Sequence, residues 1–212
     1  MAAASDARSN LDLLDWKRRV FALYEETRSA ADAHRAWERW RSYRDELFAA
    51  HPQSPIPEDG RDAFTGLSYF DYDPAARVLA EVRPAPRQTY EIGTSGEGSY
   101  SFTRFGVTAF GIASEEVELE LYWLEGYGGG AFLPFRDATS GEETYGAGRY
   151  LLDTVKGADL GGEGDELVLD FNFAYNPSCS YEEIWVCPLA PPPNWLDVPI
   201  RAGERTPPVP PR

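Results

Sequence analysis

The spacing of apolar residues divides the chain into a helical first quarter and a β-rich remainder. Over residues 10–29, apolar side chains recur every three or four positions, which places them on one face of a helix. The same spacing predicts a second helix over residues 32–49, with Trp40 on its apolar stripe. Ser9, followed by Asp12, resembles an N-terminal cap for the first helix. We therefore expect two amphipathic helices at the start of the chain.

A proline-rich segment, HPQSPIPEDG at residues 51–60, separates the helices from the β-rich remainder. Proline lacks an amide donor and restricts the residue before it, so helix formation stops here. We interpret this segment as a connector between a helical extension, residues 1–50, and a β-rich domain, residues 61–205. The tail RTPPVPPR is proline-rich, and residues 206–212 are predicted to be disordered.

Beyond the connector, apolar residues come in short runs typical of β-strands. The clearest is EVELELYWL, residues 116–124, in which apolar residues alternate with glutamates, so that one face is apolar and the other is charged. Similar runs predict strands at residues 67–70, 76–82, 99–105, 107–113, 131–135, 148–154, 166–174, 182–187 and 197–201. Because no helices separate these strands, we expect a mainly β (α+β) fold: an antiparallel sandwich or partly closed barrel with two N-terminal helices.

The charge of the chain limits its partners. The 212 residues carry a formal net charge of -15 at pH 7, and such a negative field opposes binding to nucleic acid and to anionic membranes. We therefore expect neither partner. Among the 20 basic residues only Lys17 and Lys156 are lysines. This bias, together with the excess of acidic residues, favours adaptation to high salt. The alternative, a GC-rich genome, explains the arginines but explains the acidity less well.

The sequence carries no signature of membrane insertion, secretion or metal binding. No apolar run reaches the roughly 18 residues of a membrane-spanning helix, and the start MAAASDARSN does not resemble a secretory signal. A cytoplasmic location is therefore predicted. Cys179 and Cys187 are too few for a four-thiolate zinc site, and His34 and His51 lie far upstream of them. No metal site is predicted.

The C-terminal half carries long, specific strings of polar residues. FRDATSGEETYGAGRYLL, DFNFAYNPSCSY, CPLAPPPNWL and IRAGE occur in this order, and FTGLSYF precedes them. These strings resemble the uncharacterised bacterial and archaeal family known as domain of unknown function 1684, from about residue 61 to residue 204. The resemblance brings no accepted activity with it. It implies that these residues occupy the family's characteristic positions: Asp137, Thr139, Thr144, Tyr145, Gly148, Arg149, Asp170, Asn172, Tyr175, Asn176, Pro177, Cys179, Cys187, Pro188, Asn194, Gly203 and Glu204.

Arg149 is the most suggestive single residue. It follows the small-residue turn TYGAG, and its guanidinium can hold a carboxylate or a phosphate in bidentate geometry. The alternative is a partly buried ion pair with Asp137 or Asp170. The turn itself is not a phosphate loop, because it matches neither GxxxxGK[ST] nor GxGxxG before a helix. No cofactor is therefore indicated, and the cofactor stays unknown.

Asp170 and Asn172 lie two positions apart on a predicted strand, so their side chains share one face and can converge on one ligand. With Asp137 or Glu204 nearby, Asp170 can act as a general base or help to bind a divalent cation. Asp170, Asp137 and Glu204 are therefore the candidate catalytic residues. The alternative is that the Asp and Asn side chains form hydrogen bonds with the backbone at turns.

Cys179 and Cys187 flank the hairpin-sized segment SYEEIWV. They can form a disulfide if their α-carbons come within about 7 Å of each other. In a reducing cytoplasm, free and mostly buried thiols are favoured instead. A nucleophilic cysteine would need a nearby base, and neither histidine has a predictable route to these thiols.

Together these features predict a protein that binds a small polar or anionic molecule in a cavity of the β domain. An enzyme that uses the same polar residues in carboxylate-based or metal-assisted hydrolysis is one alternative. A structural or protein-interaction role through the N-terminal helices is another. The predicted ligand-binding residues are Arg149, Asp170, Asn172, Thr144, Tyr145, Tyr175, Asn176 and Cys179.

Overall fold

Two helices begin the chain in the computed structural model, which describes residues 2–207. Helix α1 spans Ala2–Ser29 and helix α2 spans Ala33–Ala50. The predicted cap at Ser9 is wrong: Ser9 lies inside α1, because the alanine-rich start of the chain has a high helix propensity and extends the helix toward its N-terminus. Helix α2 begins after Asp32, whose carboxylate accepts hydrogen bonds from two amides of the first turn.

The connector contains turns and short 3-10 helices rather than strands. One 3-10 helix spans Glu58–Ala63 and another spans Pro74–Ala76. The strand predicted at residues 67–70 is reduced to an isolated bridge between Tyr69 and Glu204. The chain thus crosses from the helices to the sheets in an irregular path. Most of the tail predicted to be disordered, residues 208–212, lies outside the described residues.

The β-rich part forms two antiparallel sheets. The larger sheet has the strand order β2-β3-β4-β5-β6, and the smaller one has the order β1-β8-β7. The strands are β1 Arg77–Glu81, β2 Arg83–Gly93, β3 Ser99–Ile112, β4 Glu115–Leu124, β5 Gly130–Phe135, β6 Arg149–Asp153, β7 Gly162–Glu163 and β8 Glu166–Asp170. Neither sheet closes into a barrel within residues 2–207. The predicted mainly β fold with two N-terminal helices is confirmed.

Strand β4 has the predicted alternation. Val117, Leu119 and Leu121 are buried, while Glu118 between them is exposed and Glu120 is half-buried. The strands predicted at residues 99–105 and 107–113 form one strand, β3, whose pairing with β4 shifts register at Gly106. A β-carbon there would lie 2.7 Å from a methyl group of Val82, so the irregularity depends on glycine.

One strand was missed, two further predicted strands are absent, and the strand predicted at residues 166–174 ends at Asp170, because residues 171–173 form a 3-10 helix capped by the Asp170 side chain. Strand β2 was not predicted because its sequence RPAPRQTYEIG contains two prolines, which an edge strand tolerates. Residues 182–187 form turns, in which Ile184 and Val186 are exposed instead of entering a core. Residues 197–201 form a bend followed by irregular backbone and lie outside both sheets.

The core has a sheet-based part and a helix-facing part. The larger cluster centres on fully buried side chains such as Leu121, Phe135 and Phe171. A second cluster joins the helices to the β domain, because Trp40 packs edge-on against Phe173 with ring centroids 5.1 Å apart. No helix within residues 2–207 is long and apolar enough to cross a membrane.

Candidate functional site

Each of the three candidate catalytic carboxylates is buried against its own arginine. None of the three is more than 6% exposed. The pairs are Asp137–Arg149 at 3.2 Å, Asp170–Arg77 at 3.3 Å and Glu204–Arg44 at 2.9 Å. The carboxylates thus belong to three separate ion pairs rather than to one convergent cluster.

Arg149 ties the C-terminal segment to the larger sheet. Its Nη2 donates to the Asp137 carboxylate and, at 3.0 Å, to the Ile200 carbonyl, while Nη1 donates to the carbonyls of Ala202 and Glu204. Asp137 in turn accepts the Ile200 amide at 2.7 Å. Burial lowers the pKa of Arg149, and the Asp137 charge opposes that effect. The ion pair considered as an alternative is present, and ligand binding by Arg149 stays a prediction.

Thr144 and Tyr145 lie in the same buried hydrogen-bonded region. The Thr139 hydroxyl donates to Asp137 at 2.8 Å and lies 2.9 Å from the Thr144 hydroxyl. The Tyr145 hydroxyl lies 3.8 Å from the Cys179 sulfur, within reach of a weak hydrogen bond. The threonines therefore stabilise the turn, whereas Tyr145 connects it to the cysteine segment.

Asp170 and Asn172 contact each other, and Asn172 contacts the backbone just before β1. The Asn172 side chain accepts the Asp73 amide at 2.9 Å and donates to the Asp73 carbonyl at 2.8 Å. Asp170 caps the following 3-10 turn by accepting the Asn172 amide at 3.0 Å. Burial raises the pKa of Asp170, and hydrogen bonds with Asn172 oppose that shift. The two side chains do converge, but on each other and on the backbone of Asp73.

Glu204 lies at the contact between helix α2 and the C-terminal segment. Its carboxylate accepts hydrogen bonds from Arg44 and the Asn176 amide, both at 2.9 Å, and from the Tyr181 hydroxyl. Burial raises the pKa of Glu204 to about 7, and the Arg44 charge opposes that shift. The Arg44 guanidinium also lies 5.3 Å from the centre of the Tyr175 ring. Glu204, Tyr175 and Asn176 therefore help to attach the helices.

A cleft of about 440 Å³ opens beside this buried region, and both lysines of the chain line it. We call it the lysine cleft. Helix α1 contributes Lys17, the turn after β6 contributes Lys156, and residues 178–188 form the opposite wall. The apolar lining comes from Trp16, Tyr100, Phe102, Leu124, Phe132 and Trp185. The cleft combines a mainly apolar surface with two cations and the Asp153 carboxylate, which also lines it.

Hydrogen-bond donors in the lysine cleft lack partners. Lys156 lies 3.9 Å from the buried Asp153 carboxylate, whereas Lys17 forms no ion pair with any described residue. Burial raises the pKa of Asp153, and the charges of Lys156 and Lys17 oppose that shift. The indole N–H of Trp185 is buried and has no hydrogen-bond acceptor among the described residues. These unpaired donors suit an acceptor group on a small molecule.

Sequence reasoning missed this cleft. Its lining residues come from distant segments, and no motif connects them. The one available signal was the rarity of lysine, because the only two lysines line the same cleft. None of the predicted ligand-binding residues lines the cleft, but Ser178, the neighbour of Cys179 in the chain, and Cys187 both do.

A shallower groove of about 610 Å³ runs between α1 and α2 and contains His51. The His51 Nε2 lies 3.1 Å from Asp15, and its Nδ1 accepts the Gln53 amide at 3.0 Å. Both ring nitrogens are therefore occupied. Within the described part of the chain, no group of three or more His, Cys, Asp or Glu side chains is arranged to hold a metal ion.

Comparisons with known proteins agree with this fold. No curated protein matches the chain. The chain is similar to an uncharacterized protein of Haloarcula marismortui, whose structure was solved by solution NMR, with 38% sequence identity and a TM-score of 0.58. That match covers 80% of this chain and 91% of the other. The family model described as Protein of unknown function (DUF1684) matches residues 62–205. The resemblance inferred from the C-terminal strings is thus confirmed, and the chain belongs to the DUF1684 family.

Proposed function

We propose that the protein binds a small amphipathic anion in the lysine cleft. One observation carries the proposal: the only two lysines of a chain with a net charge of -15 line one mainly apolar cleft. Elsewhere on this acidic protein a free anion meets repulsion. A local pair of ammonium groups offsets that repulsion where the cleft also offers apolar surface.

The apolar part of the ligand is accommodated by aromatic side chains. Phe102 and Phe132 stack with their centroids 5.0 Å apart, and both line the cleft. A cleft of about 440 Å³ lies within the range typical of small-molecule sites. At its mouth Leu13, Tyr100 and Val186 are each 44–45% exposed, so the entrance is apolar as well. A ligand with a ring system or short chain fits this lining.

The hydrogen-bond donors without partners determine where the negatively charged group of the ligand binds. Among the described residues Lys17 is half-buried and has no carboxylate within ion-pair distance, although the Asp153 charge in the same cleft acts on it, and the Trp185 N–H lacks an acceptor. Lys156 at the rim is already near Asp153, so it supplies a weaker attraction. We therefore expect a carboxylate, sulfonate or phosphate to bind near Lys17 and Trp185.

Two fluorescent probes with the same aromatic body test the proposal. Anilinonaphthalene sulfonate carries a negative charge, and N-phenylnaphthylamine does not. For the double variant Lys17→Gln, Lys156→Gln, we expect the dissociation constant of the sulfonate probe to rise about tenfold, equivalent to about 1.4 kcal/mol. The dissociation constant of the neutral probe is expected to stay within about twofold.

Arg18→Gln is the matched control, because Arg18 is exposed on α1 beside Lys17 and does not line the cleft. This control removes one positive charge, as the single variant Lys17→Gln does; it is expected to leave both affinities unchanged, whereas Lys17→Gln alone weakens binding of the sulfonate probe. If Arg18→Gln and Lys17→Gln weaken binding of the sulfonate probe equally, the effect of charge is general and the proposal is contradicted. The proposal is also contradicted if protein with a native near-UV spectrum binds neither probe.

We also propose that the acidic surface is an adaptation to high salt. The net charge of -15, the presence of only two lysines and the similar protein from the halophile Haloarcula marismortui support it. Screening by salt weakens repulsion among the acidic side chains, so salt is expected to stabilise the folded chain. The cytoplasmic location stays a prediction.

A further inference from the structure

We propose that Cys179 and Cys187 form a reversible dithiol–disulfide couple that hydroperoxides oxidise through the lysine cleft. The reaction needs access through the cleft but no bound anion. A failure of cysteine oxidation can therefore be distinguished from a failure of anion binding in the lysine cleft.

The two cysteines lie side by side next to one wall of the cleft. Both are free, and they are only 4% and 3% exposed. The Tyr145 hydroxyl lies 3.8 Å from the Cys179 sulfur, and each of the two thiols shifts the pKa of the other. The Cys187 amide donates to the Ser95 hydroxyl at 3.1 Å, and the Ser95 amide donates to the Cys187 carbonyl at 2.9 Å. Cys187 is thus anchored against the loop that follows β2, with its thiol against Cys179.

The surroundings of Cys179 favour its thiolate. The hydrogen bond from Cys187 lowers the pKa of Cys179 to about 6, and hydrogen bonds from Ser95 and Tyr145 act in the same direction while burial opposes them. The same hydrogen bond raises the pKa of Cys187. At neutral pH the pair therefore holds one thiolate on Cys179 and one thiol on Cys187.

A route to the pair exists despite its burial. Cys187 lines the lysine cleft, and so does Ser178, the residue before Cys179. Cys179 itself does not line the cleft, so the small O–O end of a hydroperoxide passes between Ser178 and Cys187 to reach its sulfur. A buried cysteine with no such route would be inert.

The reaction balances with the hydroperoxide as the oxidant. The Cys179 thiolate attacks the outer oxygen, the O–O bond breaks, and the alcohol leaves with a proton, which converts the thiolate to a sulfenic acid. The Cys187 sulfur then attacks the sulfenic sulfur, and the hydroxyl group leaves as water with the Cys187 proton. In total, two thiols and one hydroperoxide give one disulfide, one alcohol and one water. A low-molecular-weight thiol restores the dithiol by exchange.

Treatment of the folded full-length chain with equimolar hydrogen peroxide, followed by intact mass measurement without reductant, tests the couple directly. We expect a monomer that is about 2 Da lighter and has no thiol left for alkylation by N-ethylmaleimide, with both changes reversed by dithiothreitol. A gain of oxygen atoms without loss of the two hydrogens would overturn the proposal. So would disulfide-linked dimers, or thiols that remain fully alkylatable after denaturation.

Removal of the Tyr145 hydroxyl tests whether it supports the Cys179 thiolate, because a residue that only packs there would not affect the pH profile of thiol loss. Tyr145→Phe keeps the ring but removes the contact to Cys179, so the midpoint of the pH profile for thiol loss is expected to move upward, with a rate at pH 6.5 at least about threefold lower. Tyr127→Phe, at a fully exposed tyrosine, is the control and should leave the profile unchanged. An identical profile for all three proteins would show that Tyr145 does not support the thiolate and would contradict the proposed asymmetry.

Discussion

The Arg44 guanidinium lies 2.9 Å from the Glu204 carboxylate, and the two residues are 160 positions apart in the chain. The contact joins helix α2 to the last segment of the family region, residues 62–205. Both side chains are largely withdrawn from water, with exposures of 12% and 1%. The N-terminal helices are thus attached to the β domain through a buried charge pair as well as through aromatic packing.

The pH dependence of stability is expected to reveal Glu204. Burial raises its pKa to about 7 in the folded chain, above the ordinary value of 4.5. The folded state therefore binds a proton that the unfolded state has already lost between these two pH values. As a result, the contribution of Glu204 to stability is full below pH 4.5 and falls as pH rises toward 7, by about 3 kcal/mol.

Glu204→Gln tests this dependence, because the variant cannot titrate. Urea unfolding of both proteins from pH 4 to pH 8 gives the difference in their free energies of unfolding. We expect the wild-type advantage to shrink as pH rises through this window. A difference that is constant with pH, or that grows with pH, would show that Glu204 is ionised throughout.

Arg149→Met is expected to lower the free energy of unfolding by about 3 kcal/mol, because it leaves the Asp137 carboxylate buried without its counter-charge. Arg201→Met is the matched control. Arg201 is 60% exposed and pairs with Glu143 at the surface, so its loss should cost less than about 1 kcal/mol. Urea denaturation measures both. Equal losses would show that the Arg149 ion pair contributes no more than a surface pair.

Trp40→Ala is expected to weaken the attachment of the helices. The indole is fully buried and contacts the rings of Tyr24, Tyr69 and Phe173. Loss of this volume should cost about 3–5 kcal/mol in urea unfolding. Trp123→Ala, at a tryptophan that is 44% exposed, is the control and should cost much less. A small loss for Trp40→Ala would mean that the helices are held mainly by polar contacts.

The hairpin turn between β3 and β4 is expected to gain stability from a sequence change. Ala113 and Ser114 have positive φ values of 53° and 67°, which are unfavourable for residues with a β-carbon. The double variant Ala113→Asn, Ser114→Gly suits such a turn and should raise the free energy of unfolding by about 1 kcal/mol. Ser114→Ala keeps the β-carbon and serves as the control, with no expected gain. Unchanged stability of the double variant in thermal unfolding would contradict this prediction.

Salt is expected to stabilise the protein, because the formal net charge is -15. Urea unfolding at rising potassium chloride concentrations should give a rising free energy of unfolding. The double variant Glu115→Gln, Glu116→Gln removes two exposed charges from β4 and should reduce the slope. A free energy that is flat or falls with salt would argue against salt adaptation.

Sequence periodicity was enough to predict the helices and strand β4, because each buries one face and the burial pattern is local. Strand β2 was missed because its pairing depends on a neighbouring strand and its prolines are tolerated only at an edge. Residues 197–201 were wrongly predicted as a strand. Within this segment the Ile200 amide and carbonyl form hydrogen bonds with the side chains of Asp137 and Arg149 instead of with a neighbouring strand, and periodicity does not report such contacts.

The candidate site, like the fold, was predicted only in part from the sequence. The polar strings correctly indicated a dense network, yet sequence spacing does not tell a ligand contact from a hydrogen bond to the backbone, as Asn172 and its partner Asp73 illustrate. The lysine cleft forms where α1 faces the turn after β6 and the cysteine segment. Lys17 and Lys156 become neighbours only through that tertiary arrangement, so no local pattern predicts it.

The Trp37 indole donates a hydrogen bond to the Asn172 carbonyl at 2.9 Å, and this long-range contact constrains how the chain is made. During synthesis, both helices leave the ribosome before the segment around residue 172 has been translated. Their aromatic face therefore has no partner while most of the protein is still being assembled. In this interval the buried face of α2, with Trp37 and Trp40, is exposed apolar surface through which nascent chains can aggregate.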